Sequence, residues 1–494
     1  MENRRNFMKT MGISVSSLTA STILGSLQGC SSTPKKPNIL FCIADDWGWP
    51  HAGKYGDTTV KTPTFDRLTD EGILFSSAYV SSPSCSPSRN AILTGQYHWR
   101  LGEGANLWST LDVNIPVYPL LLENAGYHVG HWRKCWGPGE LEPGGYVDKH
   151  PGGKEYTGGF KEFLNARPEG SPFCFWLGTS DPHRPFEEGT GEALGIDIDS
   201  VQVPGFFPDD EEIRSDIADY YYEVQRFDRE CGEVMQMIEE IGEIENTIIV
   251  MTGDHGMPFP RCKCNLYDMG VHVPLAIKWG AEGKGGRVIK DFVSFTDFAP
   301  TFLEAAGIEI PDQMSGKSLV PLMRSEKDGR IESDRDHVVF GKERHGPAQL
   351  APSMDAYPCR GIRTDRYLYI YNFKPDLWPV GVPSGATHPA RVHSDCDGSP
   401  TKTFIIERKE DPKYKYFYDL CFSKRPAEEL YDLQNDPDQL NNVAQDRNYK
   451  DIRKELSNLL ISELKASADP RVIGGGEKFD QYPYRASYDL MTEP

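Results

Sequence analysis

The sequence predicts an α/β fold, because apolar runs with the character of buried strands alternate with an amphipathic helix. Residues 38–44, 173–177 and 247–251 are continuous apolar runs, which are typical of strands buried on both faces of a sheet. Before the third run, apolar residues recur at helical spacing. They are Val224, Phe227, Cys231, Val234, Ile238 and Ile241. Such alternation indicates a largely parallel sheet covered by helices.

Polar residues follow each predicted strand. Asp45 and Asp46 follow the first, His183 lies beyond the second, and Asp254 and His255 follow the third. Because ligands bind at the carboxyl edge of a parallel sheet, we expect these side chains to meet. Taken singly, they are equally compatible with turns or helix caps. Together the three carboxylates could hold a hard divalent cation, with calcium preferred over zinc.

Length and charge limit the classes of function. A chain of 494 residues can form one large domain and a smaller one. Its formal net charge of −20 argues against a nucleic-acid partner, since phosphate binding needs a basic surface. An anionic substrate would therefore need a local basic pocket.

The N-terminal segment resembles an export signal. Arg4 and Arg5 resemble a twin-arginine motif, and the apolar run over 11–27 is too polar to span a membrane. Residues 27–30 resemble a lipobox ending in Cys30, although an ordinary cleaved signal is the alternative. We expect a signal peptide over 1–29, a lipid-anchored tether over 30–36, and export to a bacterial membrane, facing the periplasm or the exterior.

The other cysteines indicate neither a disulfide framework nor a zinc site. Their total of eleven is odd, and Cys42 and Cys174 lie in strand-like runs where buried free thiols are expected. The close pair Cys262 and Cys264 lacks the second pair of ligands that zinc needs.

A helix is predicted after Cys85. Pro87 suits its first turn, and Thr94 and Gly95 suit its end. Cys85 would then lie just before a helix N-terminus, where backbone N–H groups and the helix dipole favour anions. Arg89, one turn later, adds positive charge. A nucleophile there suits attack on sulfate or phosphate; a buried structural cysteine is the alternative.

Residues 85–95 resemble the signature C-x-P-S-R-x-x-x-L-T-G of the formylglycine-dependent sulfatases, in which the cysteine is oxidised to formylglycine (3-oxoalanine). Residues 37–46, 253–256, 429–433 and 436–437 resemble further motifs of that family, in the same order. The resemblance implies an alkaline-phosphatase-like mixed sheet between helices, with a smaller C-terminal α+β domain on an antiparallel sheet. The expected boundaries are 37–355 for the catalytic domain and 356–494 for the smaller one.

The resemblance also implies a calcium site. Its ligands would be Asp45, Asp46, Asp254, His255 and the modified Cys85. His255 would either contact the metal or polarise a sulfate oxygen. A formylglycine-generating or sulfatase-maturating enzyme is then an expected partner.

Further catalytic roles follow from the same resemblance. Arg89 would steady the formylglycine hydrate, and Lys134 and Lys263 match active-site lysines, although most lysines are solvated. A hydroxyl of the hydrate would attack sulfur, His183 would protonate the leaving atom, and the second hydroxyl would then expel sulfate. Trp136 stands where the family usually has a histidine, so one sulfate contact is missing or supplied elsewhere.

The substrate remains open between two kinds of sulfated carbohydrate. Residues 134–138, 181–185 and 257–267 resemble the heparan N-sulfatase (N-sulfoglucosamine sulfohydrolase) branch. The export signal and lipid anchor equally suit enzymes that degrade algal polysaccharides such as ulvan, carrageenan or fucoidan. Arg344 and His345 are candidate sugar contacts, with exposed charge as the alternative.

Two rival functions remain. A phosphohydrolase of the alkaline phosphatase superfamily could use the same fold, but its two-metal forms need a further His and Asp cluster, which the sequence does not reveal. If Cys85 stays unmodified, the protein could instead be a non-catalytic lipoprotein that binds sulfated glycans.

Overall fold

The computed structural model describes residues 35–280, 282–350, 352–384 and 391–486. The predicted signal peptide and the predicted lipidation site Cys30 lie outside these residues. In the part of the chain that is described, no helix is long and apolar enough to cross a bilayer.

Strands of the described residues form a large mixed sheet, a two-stranded pair and a smaller antiparallel sheet. In chain order the strands are β1 (Asn38–Ala44), β2 (Ile73–Phe75), β3 (Ala78–Tyr79), β4 (His128–Arg133), β5 (Lys154–Glu155), β6 (Phe173–Gly178), β7 (Thr247–Gly253), β8 (Leu275–Trp279), β9 (Arg287–Ile289), β10 (Val293–Ser294), β11 (His337–Lys342), β12 (Cys359–Thr364), β13 (Tyr367–Asn372) and β14 (Glu428–Asp432).

The helices flank these sheets. In chain order they are α1 (Pro63–Glu71), α2 (Cys85–Thr94), α3 (Tyr118–Asn124), α4 (Gly159–Ala166), α5 (Thr190–Ala193), α6 (Glu211–Glu240), α7 (Asp268–Val271), α8 (Phe298–Ala305), α9 (Val320–Arg324), α10 (Pro400–Glu407), α11 (Lys415–Phe422), α12 (Lys450–Ala466), α13 (Pro470–Ile473) and α14 (Lys478–Gln481).

The three predicted strands are confirmed as neighbours in the large sheet, whose order is β5-β4-β6-β1-β7-β8-β2-β9. β1 pairs in parallel with both β6 and β7, so that Ile39 lies opposite Cys174 and Ile248. β8 runs antiparallel to its neighbours β7 and β2, which makes the sheet mixed. The carboxyl ends of the parallel strands β1, β6 and β7 therefore lie together, as predicted.

Both faces of this sheet are covered by helices. Ile39 and Phe41 alternate with Leu40 and Cys42 along β1, and the two pairs belong to different hydrophobic cores. One core includes residues of α2, α3 and α8, and the other includes residues of α1, α4 and α6. This arrangement confirms the predicted sheet between helices. Cys42 and Cys174 are buried free thiols, also as predicted.

The predicted amphipathic helix is α6, which begins after Asp210, whose side chain accepts the N–H of Glu212. The residues predicted for its apolar face are buried up to Ile238. Ile241 was wrongly included in that face. The helix ends at Glu240, and Ile241 lies beyond it with 45% of its surface exposed.

A four-stranded antiparallel sheet, β11-β12-β13-β14, confirms the predicted smaller sheet near the C-terminus. Leu456, Leu460 and Leu464 of α12 share one hydrophobic core with Val339 and Ile362 of this sheet. β11 lies before residue 355, while the expected domain boundary at 355 stays a prediction.

Candidate active site

Four adjacent parallel strands bring the predicted site residues to one edge of the large sheet. These strands are β4, β6, β1 and β7. Asp45 and Asp46 follow β1, Asp254 and His255 follow β7, and Lys134 follows β4. His183 follows β6 after a short loop. The sequence did not indicate β4 as a strand, and Lys134 was assigned from its motif alone.

The acidic residues form a buried cluster. Asp254 Oδ1 accepts the N–H of Asp46 at 2.9 Å, so the loops after β1 and β7 are joined directly. Asp46 has a φ of 76°, a left-handed conformation that is unfavourable for a residue with a Cβ atom. Its Oδ1 is buried and lacks a hydrogen-bond donor among the described residues. Such an atom is expected to be satisfied by a ligand.

His255 faces this orphaned oxygen with an acceptor atom. Its Nδ1 lies 3.1 Å from the carbonyl of Gly256, which fixes the ring proton on Nδ1 when the histidine is neutral. In that form Nε2 carries a lone pair, and it lies 3.3 Å from Asp46 Oδ1. Two acceptors that face each other in this way would fit a bound cation. With Asp45 and Asp254 nearby, oxygen atoms dominate the donors, which suits a hard cation such as calcium.

Cys85 is the first residue of α2, one position further into the helix than the sequence predicted. Its Sγ lies 3.2 Å from His255 Nε2 and 3.7 Å from Asp45 Oδ1. Burial raises the pKa of the Cys85 thiol well above its usual value, although the charge of Lys134 opposes the shift. Because the thiolate is the nucleophilic form, an unmodified Cys85 is a poor nucleophile.

Arg89, one turn into α2, ties the acidic loops together. It is fully buried, and it donates from Nε to Asp254 Oδ2 at 2.9 Å and from a terminal nitrogen to Asp45 Oδ1 at 3.3 Å. Burial alone would raise the pKa of Asp45, but Lys134, His183 and Arg89 hold it well below its usual value. Asp45 is therefore ionised and available as a ligand.

Two lysines that are far apart in the sequence contact the carboxylates. Lys134 Nζ donates to both oxygens of Asp45, at 2.5 and 2.7 Å. Lys263 Nζ donates to Asp46 Oδ2 at 2.8 Å. Both lysines therefore lie at the predicted site, which a solvated surface lysine would not do.

His183 lies at the open side of the cluster. Its Nδ1 contacts the backbone carbonyl of Arg184 at 2.6 Å, and its Nε2 lies 3.9 Å from Asp46 Oδ2. Its side chain is 36% exposed. The imidazole can therefore meet a substrate while its ring orientation is held by the backbone.

Trp136 occupies the position where the family motif usually has a histidine, and His345 is a histidine that lies near the same site. The indole N–H of Trp136 donates to Asn90 Oδ1 at 2.8 Å, so its polar atom is engaged with α2. His345 Nδ1 lies 2.9 Å from the hydroxyl of Ser84, the residue before Cys85. Burial, followed by the charge of Lys263, holds the pKa of His345 well below its usual value. A neutral imidazole therefore reaches the site from the segment after β11.

Arg344, the neighbouring candidate sugar contact, is buried. Its guanidinium donates to the backbone carbonyls of Tyr482 and Pro483, at 2.8 and 2.9 Å. These bonds give Arg344 a structural role, and its sugar contact stays a prediction.

Asp397 is a site residue that the sequence did not reveal. It precedes α10, and its Oδ2 lies 3.0 Å from Lys263 Nζ. Ligand atoms of Asp46, His183 and Asp397 lie within 4.8 Å of one another. No strand or motif marks Asp397, and only the folding of a distant loop against Lys263 brings it here.

Comparison with known proteins adds the family. Residues 37–308, more than half of the chain, match the protein-family model described as Sulfatase. The chain belongs to the sulfatase family. Residues 253–380 of this sulfatase also match the model described as N-sulphoglucosamine sulphohydrolase, C-terminal.

Two curated relatives match this sulfatase over most of both chains. It is 28% identical over 462 residues to an ulvan-active sulfatase of Formosa agariphila, covering 90% of this chain and 83% of that one. It is 27% identical over 491 residues to the N-sulphoglucosamine sulphohydrolase of Homo sapiens, covering 90% and 92%. The sulfatase is accordingly a sulfuric ester hydrolase.

Solved structures share the fold. A protein in complex with its substrate D-glucosamine-2-N,6-O-disulfate matches with a TM-score of 0.61 and 21% identity, covering 88% of this chain and 99% of that one. The phosphonate monoester hydrolase of Agrobacterium radiobacter matches with a TM-score of 0.61 and 19% identity, covering 88% and 97%. At these identities the likeness concerns the fold.

Proposed function

We propose that this sulfatase removes sulfate from sulfated glycans or their oligosaccharides, using a formylglycine made from Cys85 and a bound calcium ion. The observation that carries the proposal is the position of Cys85 at the start of α2, with Sγ 3.2 Å from His255 Nε2. Three basic side chains lie close to the carboxylates beside Cys85: Lys134 near Asp45, and Lys263 and His183 near Asp46. The cysteine to be converted to formylglycine, carboxylates for a metal and cationic groups for sulfate thus converge.

The metal proposal is supported by the donor atoms. Asp45, Asp46 and Asp254 would hold calcium, with His255 at its edge. Calcium would supply positive charge against sulfate oxygens, and formylglycine would supply, once hydrated, the attacking hydroxyl. The raised pKa of the Cys85 thiol supports the need for that modification.

The remaining side chains have separate tasks. The ammonium groups of Lys134 and Lys263 are placed to neutralise oxygens of the sulfate. Arg89 holds Asp45 and Asp254 in position from a fully buried site. The carbonyl of Arg184 fixes one ring proton of His183 on Nδ1, so Nε2 faces outward and, in the doubly protonated imidazolium, can give its proton to the leaving atom. His345, beside Ser84, is our candidate for the sulfate contact that Trp136 does not supply.

Sulfated carbohydrate as substrate is supported by the relatives, whose names specify ulvan and N-sulphoglucosamine. The two names specify different carbohydrates, and only the second specifies an N-sulfate. The proposal therefore covers sulfate esters and N-sulfates, of heparan-like or algal glycans.

The proposed location is a bacterial membrane reached by export. Arg4, Arg5 and the sequence around Cys30 support a cleaved signal and a lipid anchor on Cys30. A maturation enzyme that converts Cys85 is the partner that this function requires. Labelling with a radioactive fatty acid tests the anchor, and a Cys30→Ala protein that keeps the label would contradict it.

A two-metal phosphohydrolase is less well supported. Asp46, His183 and Asp397 form the additional cluster that the sequence did not reveal. However, Lys263 Nζ lies 2.8 Å from Asp46 and 3.0 Å from Asp397, and its positive charge opposes a second metal ion there.

The test is release of inorganic sulfate by protein made together with a maturation enzyme. The panel contains N-sulfoglucosamine, glucosamine 6-sulfate, N-acetylgalactosamine 6-sulfate and ulvan oligosaccharides, with p-nitrophenyl sulfate and p-nitrophenyl phosphate as references. We expect sulfate release from a glycan, lost in Cys85→Ala. Glycan binding without release by fully modified protein would favour a binding lipoprotein, and preferred phosphate release would favour the phosphohydrolase.

A further inference from the structure

Asp397 lies at the mouth of the active site, although it belongs to the loop before α10. Its carboxylate is within 4.8 Å of ligand atoms of Asp46 and His183. The proposed release of sulfate gives this carboxylate no task. A negative charge beside a sulfate pocket is also unfavourable for binding sulfate itself. Its presence therefore points to another part of the substrate.

The charge of Asp397 is fixed by Lys263. The ammonium of Lys263 lies 3.0 Å from Asp397 Oδ2 and favours the carboxylate form of Asp397, which can only accept hydrogen bonds. Lys263, shared between Asp46 and Asp397, keeps both carboxylates in place without a second metal ion.

Exposure distinguishes Asp397 from the deeper residues. Its side chain is 27% exposed, whereas that of Lys263 is 5% exposed. His183, at 36%, is the neighbouring exposed group. If His183 meets the leaving atom, Asp397, whose carboxylate lies within 4.8 Å of a ring nitrogen of His183, would face a substituent on the adjoining carbon of the sugar.

The surface beyond these two residues is acidic. Arg184 and Gly398, which follow His183 and Asp397 in the chain, line one groove. Its other lining residues include Glu188, Glu192, Asp210 and Asp219. A second sulfate or carboxylate on this side of the substrate would therefore be repelled.

We propose that Asp397 is a specificity-determining residue that accepts a hydrogen bond from a hydroxyl beside the sulfated position and excludes a second anionic group there. The inference rests on the proposed function and names the substrate class further: sugars whose sulfate has a free hydroxyl on the adjoining carbon. A hydrogen bond to a charged group changes discrimination by about 10- to 100-fold.

The experiment compares three substrates. The first is whichever of N-sulfoglucosamine and an ulvan oligosaccharide gives the higher kcat/KM, because C5, beside the sulfated C6 of the two 6-sulfates, carries no free hydroxyl. The others are its analogue with the adjoining hydroxyl replaced by hydrogen and its analogue sulfated there. Wild-type protein should prefer the hydroxyl compound over both by about 10-fold or more. Asp397→Asn and Asp397→Ala should bring the ratios of kcat/KM close to one.

Ratios measured within one protein separate this role from a general effect on Lys263, which would lower all three rates together. The matched control is Asp395→Asn, since Asp395 is buried two residues away and is not paired with Lys263 in the described residues. It should keep the wild-type ratios. Unchanged ratios in both Asp397 variants, or equal loss of selectivity in the control, would overturn the proposal. Turnover of p-nitrophenyl sulfate by wild-type protein tests the proposed function separately, because this compound has no sugar hydroxyl.

Discussion

The ammonium of Lys134 lies 2.5 and 2.7 Å from the two carboxylate oxygens of Asp45. Lys134 follows β4 and Asp45 follows β1, and these strands are separated by β6 in the sheet. The contact thus links a residue proposed to bind sulfate with a residue proposed to bind the metal. The side chain of Lys134 is 22% exposed and that of Asp45 is 4% exposed, so the lysine is the more accessible of the two.

Lys134→Met should lower kcat/KM for sulfate release by about 10²- to 10³-fold, because it removes one positive charge from the developing transition state. Lys278→Met is the matched control, since Lys278 is buried but pairs with Glu71 and Glu245 away from the site. It should keep wild-type kinetics after correction for folded fraction. Similar losses of kcat/KM in both variants would show that Lys134 acts by stabilising the fold and not by stabilising the transition state.

His183→Gln should affect substrates according to their leaving groups. A sugar alkoxide needs a proton as it leaves, whereas p-nitrophenolate does not, and general acid catalysis contributes about 10²- to 10⁴-fold. We expect a large loss of kcat on a glycan sulfate and a small one on p-nitrophenyl sulfate. Equal losses on the two substrates would show that His183 is not the acid.

Metal removal should abolish turnover and lower stability. A bound cation would satisfy the orphaned Oδ1 of Asp46 and the facing Nε2 of His255, and its removal would leave both atoms without that partner. Dialysis against a chelator should lower the melting temperature, and calcium should restore both activity and stability better than zinc. Asp254→Asn should remove the calcium-dependent change in melting temperature. Full activity in the chelator would contradict the metal proposal.

The variants His345→Gln and Trp136→Phe test which of these two residues contacts the sulfate. Loss of the imidazole beside Ser84 should lower kcat/KM for sulfate release by about 10-fold or more. Trp136→Phe removes the bond to Asn90 and should cost about 1 kcal/mol of unfolding free energy while keeping the rate. Urea unfolding and steady-state kinetics measure the two effects. The reverse pattern would place Trp136 in the sulfate pocket.

The stability of the protein should fall in mild acid through His272. Its ring stacks between Trp49 and Tyr79, and burial lowers its pKa to about 4, with Asp268 opposing the shift. Between pH 6.5 and 4 the unfolded chain gains a proton here and the folded chain does not, so unfolding free energy falls as pH falls. From pH 7 to pH 5 the loss due to His272 is about 2 kcal/mol. His272→Phe should reduce the measured loss by that amount; an unchanged loss in urea unfolding would refute the assignment.

Much of the fold could be predicted because a strand buried on both faces forms a short, continuous apolar run in the sequence. The runs that form β1, β6 and β7 are apolar throughout, so period and length identify them. β4 carries His128 and Arg133 at its ends and was not identified. The end of α6 was also misplaced at Ile241, because an apolar residue beyond a helix looks the same as one within it.

The candidate site was predictable where motifs lie next to strands. Asp45, Asp46, Asp254 and Cys85 follow from local patterns that the fold brings together. Asp397 could not be found this way, because its relation to Lys263 depends on a loop packing 134 residues further along the chain. The structural role of Arg344 depends likewise on carbonyls near residue 482.

The central claim concerns the chemical state of residue 85 in active protein. The measurement is mass spectrometry of the peptide that contains this position, taken from the same preparation whose sulfate release has been quantified. We predict an aldehyde in place of the thiol, in a fraction that rises and falls with specific activity among preparations made with and without the maturation enzyme. Full sulfate release by protein that carries only the unmodified Cys85 thiol would contradict the account.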